Sequence, residues 1–359
     1  MDLLPLVEEV RFCMIDRVAN HACNHHERLL HALSALHLGL ASRVHDLLKP
    51  IKLEVIFRQV VHAITTVRSW CASGTREAAL HASLCCWDAT LDCFLEPHQT
   101  NPIHILCSRL MWPLVARAFS ELLLLALPAS RLSSALRAFC IRAVRGLCKL
   151  PGLGTTLGMF LPGVASRLGM LATGLEKQHA QLRVEIIAAI QALLLATMAD
   201  DHPALGASAT RFSSPVLWVQ ALRDQASALH PGRRGFTGPA NVGHEKRAHP
   251  SKWLSAATAN LSPLLGRVCA VTSTSPSWRV RRQLVWLLGS LLLRCVRSLR
   301  QCMPTLLEAL LATTHDSYPR VARPARATLA LVGQRLPASA QLHAMVTESF
   351  DKQFATLPT

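Results

Sequence analysis

Aromatic residues are scarce in this chain: ten phenylalanines, seven tryptophans and one tyrosine, Tyr318, make up 5% of its 359 residues. The apolar half of the sequence is carried largely by Leu and Ala, a mixture that suits helix packing and argues against a β-sheet architecture. Acidic residues are also in short supply. With 22 Asp plus Glu against 38 Lys plus Arg, the formal charge is +16, so the surface should attract acidic partners in a salt-sensitive manner, and nucleic acid stays open as an alternative ligand. There is no disulfide framework: the 12 cysteines are scattered, with one adjacent pair at Cys85 and Cys86, and they read as small buried hydrophobes in a reducing compartment. Nor is there an unbroken apolar run of about twenty residues of the kind a bilayer requires. Ile186 to Ala199 carries Gln191, and Gly152 to Leu175 is broken by Pro162, Gly163 and Arg167, so no transmembrane helix is expected. Glu8 and Glu9 come too early for a secretory signal, so no secretion is expected; the expected location is the cytoplasm, with the nucleus as a second site.

What the sequence does have is helical periodicity, interrupted by Pro, Gly and Ser clusters. We place helices within 2–20, 25–48, 50–72, 75–95, 101–127, 130–150, 161–174, 178–199, 214–229, 251–260, 262–271, 277–300, 303–314, 319–336 and 338–355. Near the C-terminus the pattern repeats. Pro263-Leu264-Leu265 and Pro304-Thr305-Leu306 each look like a helix start 41 residues apart, and Val280 with Val321, Leu288 with Leu329, and Leu291 with Val332 keep the same offset. A two-helix unit of about 40 to 47 residues is the HEAT or armadillo signature, in which each helix pair leaves one apolar face open for the next pair to cover. Pro128 to Leu150 and His179 to Asp200 read as second helices of further, more degenerate units. The expected fold is therefore all-α, a HEAT/armadillo-like α-solenoid of antiparallel helix pairs. It divides into degenerate repeats over 1–200, an irregular segment over 201–250 with a short helix and a basic Pro/Gly-rich loop, and clearer repeats over 251–359.

The most sharply patterned helix runs from Trp278 to Arg300 with six arginines and no acid. On a helical wheel Val280, Leu284, Leu287, Leu288, Leu291 and Cys295 share one face, while Arg279, Arg282, Arg294, Arg297 and Arg300 share the other, with Trp286 on the arginine side. The plain reading is the solvated side of an amphipathic helix. The functional reading is a basic, aromatic-containing patch that binds a partner, and those six residues are the candidate site.

Chemistry-bearing motifs are thin. Gly152-Leu-Gly-Thr-Thr-Leu-Gly158 has the wrong spacing for a dinucleotide loop and no strand before it, so it reads as a helix-to-helix turn. His21, Cys23, His25 and His26 are the densest group of possible metal ligands, but no CxxC follows, and a polar helix junction explains them better. Asp200 and Asp201 end a helix and read as a cap or turn. No catalytic residue, cofactor site or metal site is assigned.

Two stretches resemble the Tti-one family, a HEAT-repeat subunit of the TTT complex of Tel-two, Tti-one and Tti-two. One is Phe160-Leu161-Pro162-Gly163-Val164, continuing through Ser166, Leu168, Leu171, Thr173 and Gly174 to Met198-Ala199-Asp200. The other runs from Trp253 through Leu261, Leu264-Leu265 and Val268 into Ser275-Pro276-Ser277-Trp278-Arg279-Val280-Arg281, then Leu284-Val285, Leu291-Leu292, Cys295, Ser298-Leu299, Cys302, Pro304 and Leu306-Leu307. Leu175 and Trp286 depart from the family pattern. The resemblance implies a non-enzymatic co-chaperone scaffold. With Tel-two and Tti-two type subunits and the heat-shock-protein-ninety machinery, it would support phosphatidylinositol-kinase-related kinases such as mTOR and ATM. It also implies that this chain corresponds to an amino-terminal portion. A HEAT-repeat transport adaptor or nucleic-acid-associated scaffold is the alternative.

Overall fold

The computed structural model describes residues 4–15, 24–41, 50–68, 74–95, 111–150, 153–174, 179–200 and 250–335. Among these residues there is no strand, and twelve α-helices account for nearly all of them. They are α1 (Leu4–Ile15), α2 (Asn24–Ala41), α3 (Pro50–Arg68), α4 (Gly74–Leu95), α5 (Trp112–Leu125), α6 (Ser134–Lys149), α7 (Gly154–Thr173), α8 (Ala180–Met198), α9 (Pro250–Ser273), α10 (Trp278–Arg294), α11 (Met303–Thr314) and α12 (Pro319–Arg335). Single 3₁₀ turns at Pro128–Ser130 and Arg300–Cys302 precede α6 and α11.

The helices pack as six consecutive pairs in two layers. Each odd-numbered helix meets the even one that follows it, each odd helix meets the next odd one, and each even helix meets the next even one. This is an α-solenoid of helix pairs, as the sequence leads one to expect. One hydrophobic cluster runs without interruption from Val7 in α1 to Val332 in α12. The second helices read from the sequence at Pro128 to Leu150 and His179 to Asp200 contain α6 and α8, both in the even layer. α8 is the one described helix long and apolar enough to span a bilayer by length and composition. Its apolar character is used here in burial against α6, α7 and α10.

Packing explains the residue types. Trp87 is fully buried in α4, where its ring lies 5.1 Å from that of Phe57 in α3 and its indole N–H donates to the Ala143 carbonyl of α6 at 3.3 Å. The side chain thus ties three helices together. Buried hydroxyls of Ser83, Thr90, Thr197 and Thr272 each donate to the carbonyl four residues back, which satisfies them without a partner from another helix. Small residues let even helices approach closely: a Cβ on Gly289 would sit 2.7 Å from Thr328 Cγ2 of α12. All nine described cysteines are free thiols, and eight are buried, in keeping with their reading as small hydrophobes. Burial pushes the Cys86, Cys140 and Cys269 thiols up to about 12.

Several expected boundaries move. Residues 251–260 and 262–271, read as two helices broken before Pro263, form the single helix α9. The break is unnecessary because Pro263 and Ala259, whose carbonyl the proline leaves without its usual donor, both face solvent. The turn expected at 152–158 gives way to a helix that starts at Gly154 and passes through Pro162. The expected helices at 214–229 and 338–355, the basic loop at 230–250 up to its last residue, and the His21 and Cys23 positions lie outside the described residues, as do the side chains of His25 and His26.

Where α4, α6 and α8 adjoin, Arg142 and Arg145 of α6 reach Glu185 of α8 at 3.4 and 3.2 Å. Asp88 of α4 stands by them, and burial first, then Asp92, raises its carboxyl to about 6 against the pull of Arg142 and Arg145. A raised carboxyl favours the protonated folded state, so its contribution is present at acid pH and is lost as pH rises through about 6. Asp88→Asn should therefore raise Tm at pH 8 and leave it unchanged near pH 4, as read by thermal melts across pH. Trp87→Ala should cost about 3–5 kcal/mol in denaturant unfolding, because it removes a large side chain from a core with nothing to refill the space.

Candidate partner-binding surface

Three polar connections fix α10 within the stack. At its N-terminal end Arg281 makes a two-pronged ion pair with Asp316, from the turn between α11 and α12, at 2.6 and 3.0 Å. The same guanidinium donates to the Ser275 and Pro276 carbonyls. The hydrogen bond from Arg281 holds the Asp316 carboxyl below the usual carboxylate range. Midway, Gln191 of α8 accepts from Gln283 at 3.1 Å and donates to Ser290 at 2.7 Å. Gln191, the residue that interrupts the apolar run of α8, is therefore spent on the neighbouring repeat.

At the C-terminal end, Asp200 accepts from the backbone N–H groups of Arg297 and Ser298 at 2.9 and 3.1 Å, and its own N–H donates to the Arg294 carbonyl at 2.7 Å. Ser298 Oγ donates to the Met198 carbonyl. The cap or turn role read for Asp200 is realised nearly a hundred residues away, where its carboxylate holds the turn after α10 and its N–H meets the last carbonyl of that helix. This contact also ends α10. A continued helix would need the Arg294 carbonyl and the 297 and 298 amides for itself, and Asp200 takes all three.

The candidate site changes shape as a result. Arg279, Arg282 and Trp286 lie on the outward stripe of α10, all exposed, with Trp286 at 53%. Arg294 closes that helix. Arg297 and Arg300 do not continue the helix face on which the wheel puts them: they are exposed in the turn and the 3₁₀ segment after Cys295, at the opposite end of α10 from Arg279. The six residues thus form two groups, one at each end of α10, with Arg279 and Arg294 about 22 Å apart along the axis at 1.5 Å per residue.

The first group extends sideways. Arg320 and Arg323 of α12 stand 41 residues beyond Arg279 and Arg282 and are exposed as they are. Arg279 and Arg320 both place their guanidinium over the Trp278 ring, at 5.7 and 5.3 Å from its centroid, and Tyr318 stacks on that ring at 5.2 Å. Neither Arg320 nor Arg323 is in the sequence-read patch, although the 41-residue offset carries the signal for both. Among the described residues, acids are absent from this face. α6, α10 and α12 contain none, α8 contains only Glu185, and the nearest turn carboxylate, Asp316, is committed to Arg281.

On the odd layer a groove of about 290 Å³ opens between α5 and α7, lined by Phe119, Leu123, Phe160, Pro162, Val164 and Arg167 among others. It contains the Phe160-Leu161-Pro162-Gly163-Val164 stretch of the family resemblance. Among the described residues no group of three or more metal-binding side chains comes together.

Comparison with known proteins points to one family. The family described as the TTI1 N-terminal TPR domain matches residues 53–317. The human protein TELO2-interacting protein 1 homolog is 35% identical over 69 residues, which is 19% of this chain and 6% of the human protein, so the match spans a small part of that relative. Among solved structures, an engineered protein aligns over 93% of this chain and 99% of its own at 12% identity with a TM-score of 0.17.

Asp316→Asn should lower stability by about 1.5–3 kcal/mol, since it leaves the half-buried Arg281 without its counter-charge. Because the Asp316 carboxyl is depressed, its contribution holds above the ordinary carboxylate range and is lost as pH falls below it. The variant should therefore show a shallower fall in Tm with acidification than the parent protein, measured by thermal melts from neutral to acid pH.

Proposed function

The chain belongs to the TTI1 family, and from that membership we propose that it is a non-enzymatic scaffold subunit of the TTT co-chaperone complex. The observation that carries this reading is the match of the family's amino-terminal domain to residues 53–317, which covers α4 to α11 whole and most of α3. The name of the human relative states an interaction with TELO2, and a Tel-two type subunit is accordingly the first partner we assign. A Tti-two type subunit, the heat-shock-protein-ninety machinery and phosphatidylinositol-kinase-related kinases of the mTOR and ATM type complete the proposed assembly, acting in the cytoplasm and nucleus.

A stacked solenoid suits such work. Among the described residues its main contacts run between neighbouring helix pairs, which leaves each layer an outward face. A scaffold of this kind acts by holding several proteins in fixed relation, and its chemistry is the chemistry of surfaces.

A second reading, a scaffold associated with nucleic acid, draws on one observation, the acid-free arginine face of α10 and α12. The two readings part in one experiment. Affinity purification of the tagged chain from cells followed by mass spectrometry should recover both sister subunits together with kinase-related client proteins. Recovery of neither sister subunit overturns the TTT assignment. Nuclease-sensitive recovery of nucleic-acid-binding proteins in their place would establish the second reading.

A further inference from the structure

The N-terminal turns of α10 and α12 concentrate positive charge against the ordinary rules of helix stability. A helix N-terminus carries about half a positive charge and favours acidic residues in its first turn. Here neither helix has an acid in its first turn, and the first five residues hold Arg279, Arg281 and Arg282 in α10, of which Arg281 is paired with Asp316, and Arg320 and Arg323 in α12. Solenoid packing sets the two helix ends side by side, as the stacking of Trp278 on Tyr318 and the reach of Arg320 to Trp278 show. Like charges are thus gathered where two helix dipoles already repel them.

No described carboxylate answers these arginines. Asp316 is bound by Arg281 and by the Tyr318 backbone N–H, Glu308 lies on α11 in the other layer, and Glu185 is held by Arg142 and Arg145. The Trp278 ring meanwhile restrains Arg279 and Arg320 through cation–π contact, which lowers the entropy lost when they bind. One turn beyond Arg282 on the same stripe, Trp286 is 53% exposed.

We propose that this face is a docking site for an acidic segment of a partner protein, whose carboxylates sit on Arg279, Arg282, Arg320 and Arg323 and whose apolar side chain lies on Trp286. The proposal rests on reading the even layer as a partner surface and names what that surface binds. Every cation on α10 and α12 is an arginine, the side chain whose planar fork pairs with carboxylates in two-pronged fashion. The site is compact, about one helix spacing of 8–10 Å across and about two turns long from Arg279 to Trp286. That holds a few carboxylates, whereas nucleic-acid sites commonly engage about six to ten phosphates along a stripe.

The test is fluorescence anisotropy on the full chain with a short labelled Glu-rich peptide carrying one Phe, beside its Glu-to-Gln counterpart. The acidic peptide should bind in a salt-sensitive way and the Gln peptide about tenfold more weakly or worse. Arg282→Glu with Arg323→Glu should abolish the preference, while Arg167→Glu on the odd layer should leave it intact. The double variant should melt at or above the parent temperature, since it removes repulsion at two helix ends. If it fails to fold, Arg282→Gln with Arg323→Gln serves instead. Equal binding of the two peptides, or an acidic-peptide affinity indifferent to these substitutions, overturns the proposal. So does a single-stranded oligonucleotide that displaces the peptide at lower concentration through the same arginines. Each of these outcomes is read without the sister subunits, so their co-purification remains a separate test of the scaffold assignment.

Discussion

Everything in this molecule depends on the burial that one helix pair can achieve only against the next. A pair of helices has two apolar flanks and can cover neither by itself, so each repeat draws its stability from its neighbours. The unbroken cluster from Val7 to Val332 is the sum of these shared faces. Hydrophobic contact fixes that the pairs stack, but it is forgiving of register. The polar links between repeats, Arg281 to Asp316, Gln191 to Gln283 and Ser290, and Asp200 to the turn after α10, are directional, and they allow one alignment.

This division explains how much of the fold can be read from the residues. Helix periodicity depends on neighbours three and four residues apart, so α11 and α12 emerge from the sequence almost at their structural limits, and α4 and α8 nearly so. Errors arise where distant residues decide the outcome. Nothing near Arg294 announces that α10 stops there, because the group that ends it, Asp200, arrives from another repeat. Likewise Pro263 looks like a break, and becomes tolerable only once its side of α9 is known to face solvent.

The candidate surface follows the same logic. Its first row, Arg279, Arg282 and Trp286, is legible because a single helix wheel contains it. Its second row is not, since a wheel describes one helix and the surface is made by two. Only stacking shows that residues 41 apart are lateral neighbours, and only the contact of Arg320 with Trp278 shows that the rows share one ring. Arg297 and Arg300 join the first row only on a helix longer than the one the structure holds.

Ser298 joins three parts of the chain at a single residue. Its amide donates to Asp200, its hydroxyl to Met198, and its carbonyl accepts from Thr258. Asp200 at the end of α8 and Thr258 within α9 are thus both clasped to the turn after α10, so one residue links three helices of two neighbouring pairs. A change at Ser298 would therefore loosen the seams of α10 with α8 and with α9 together, so one small side chain governs how two neighbouring pairs sit on each other.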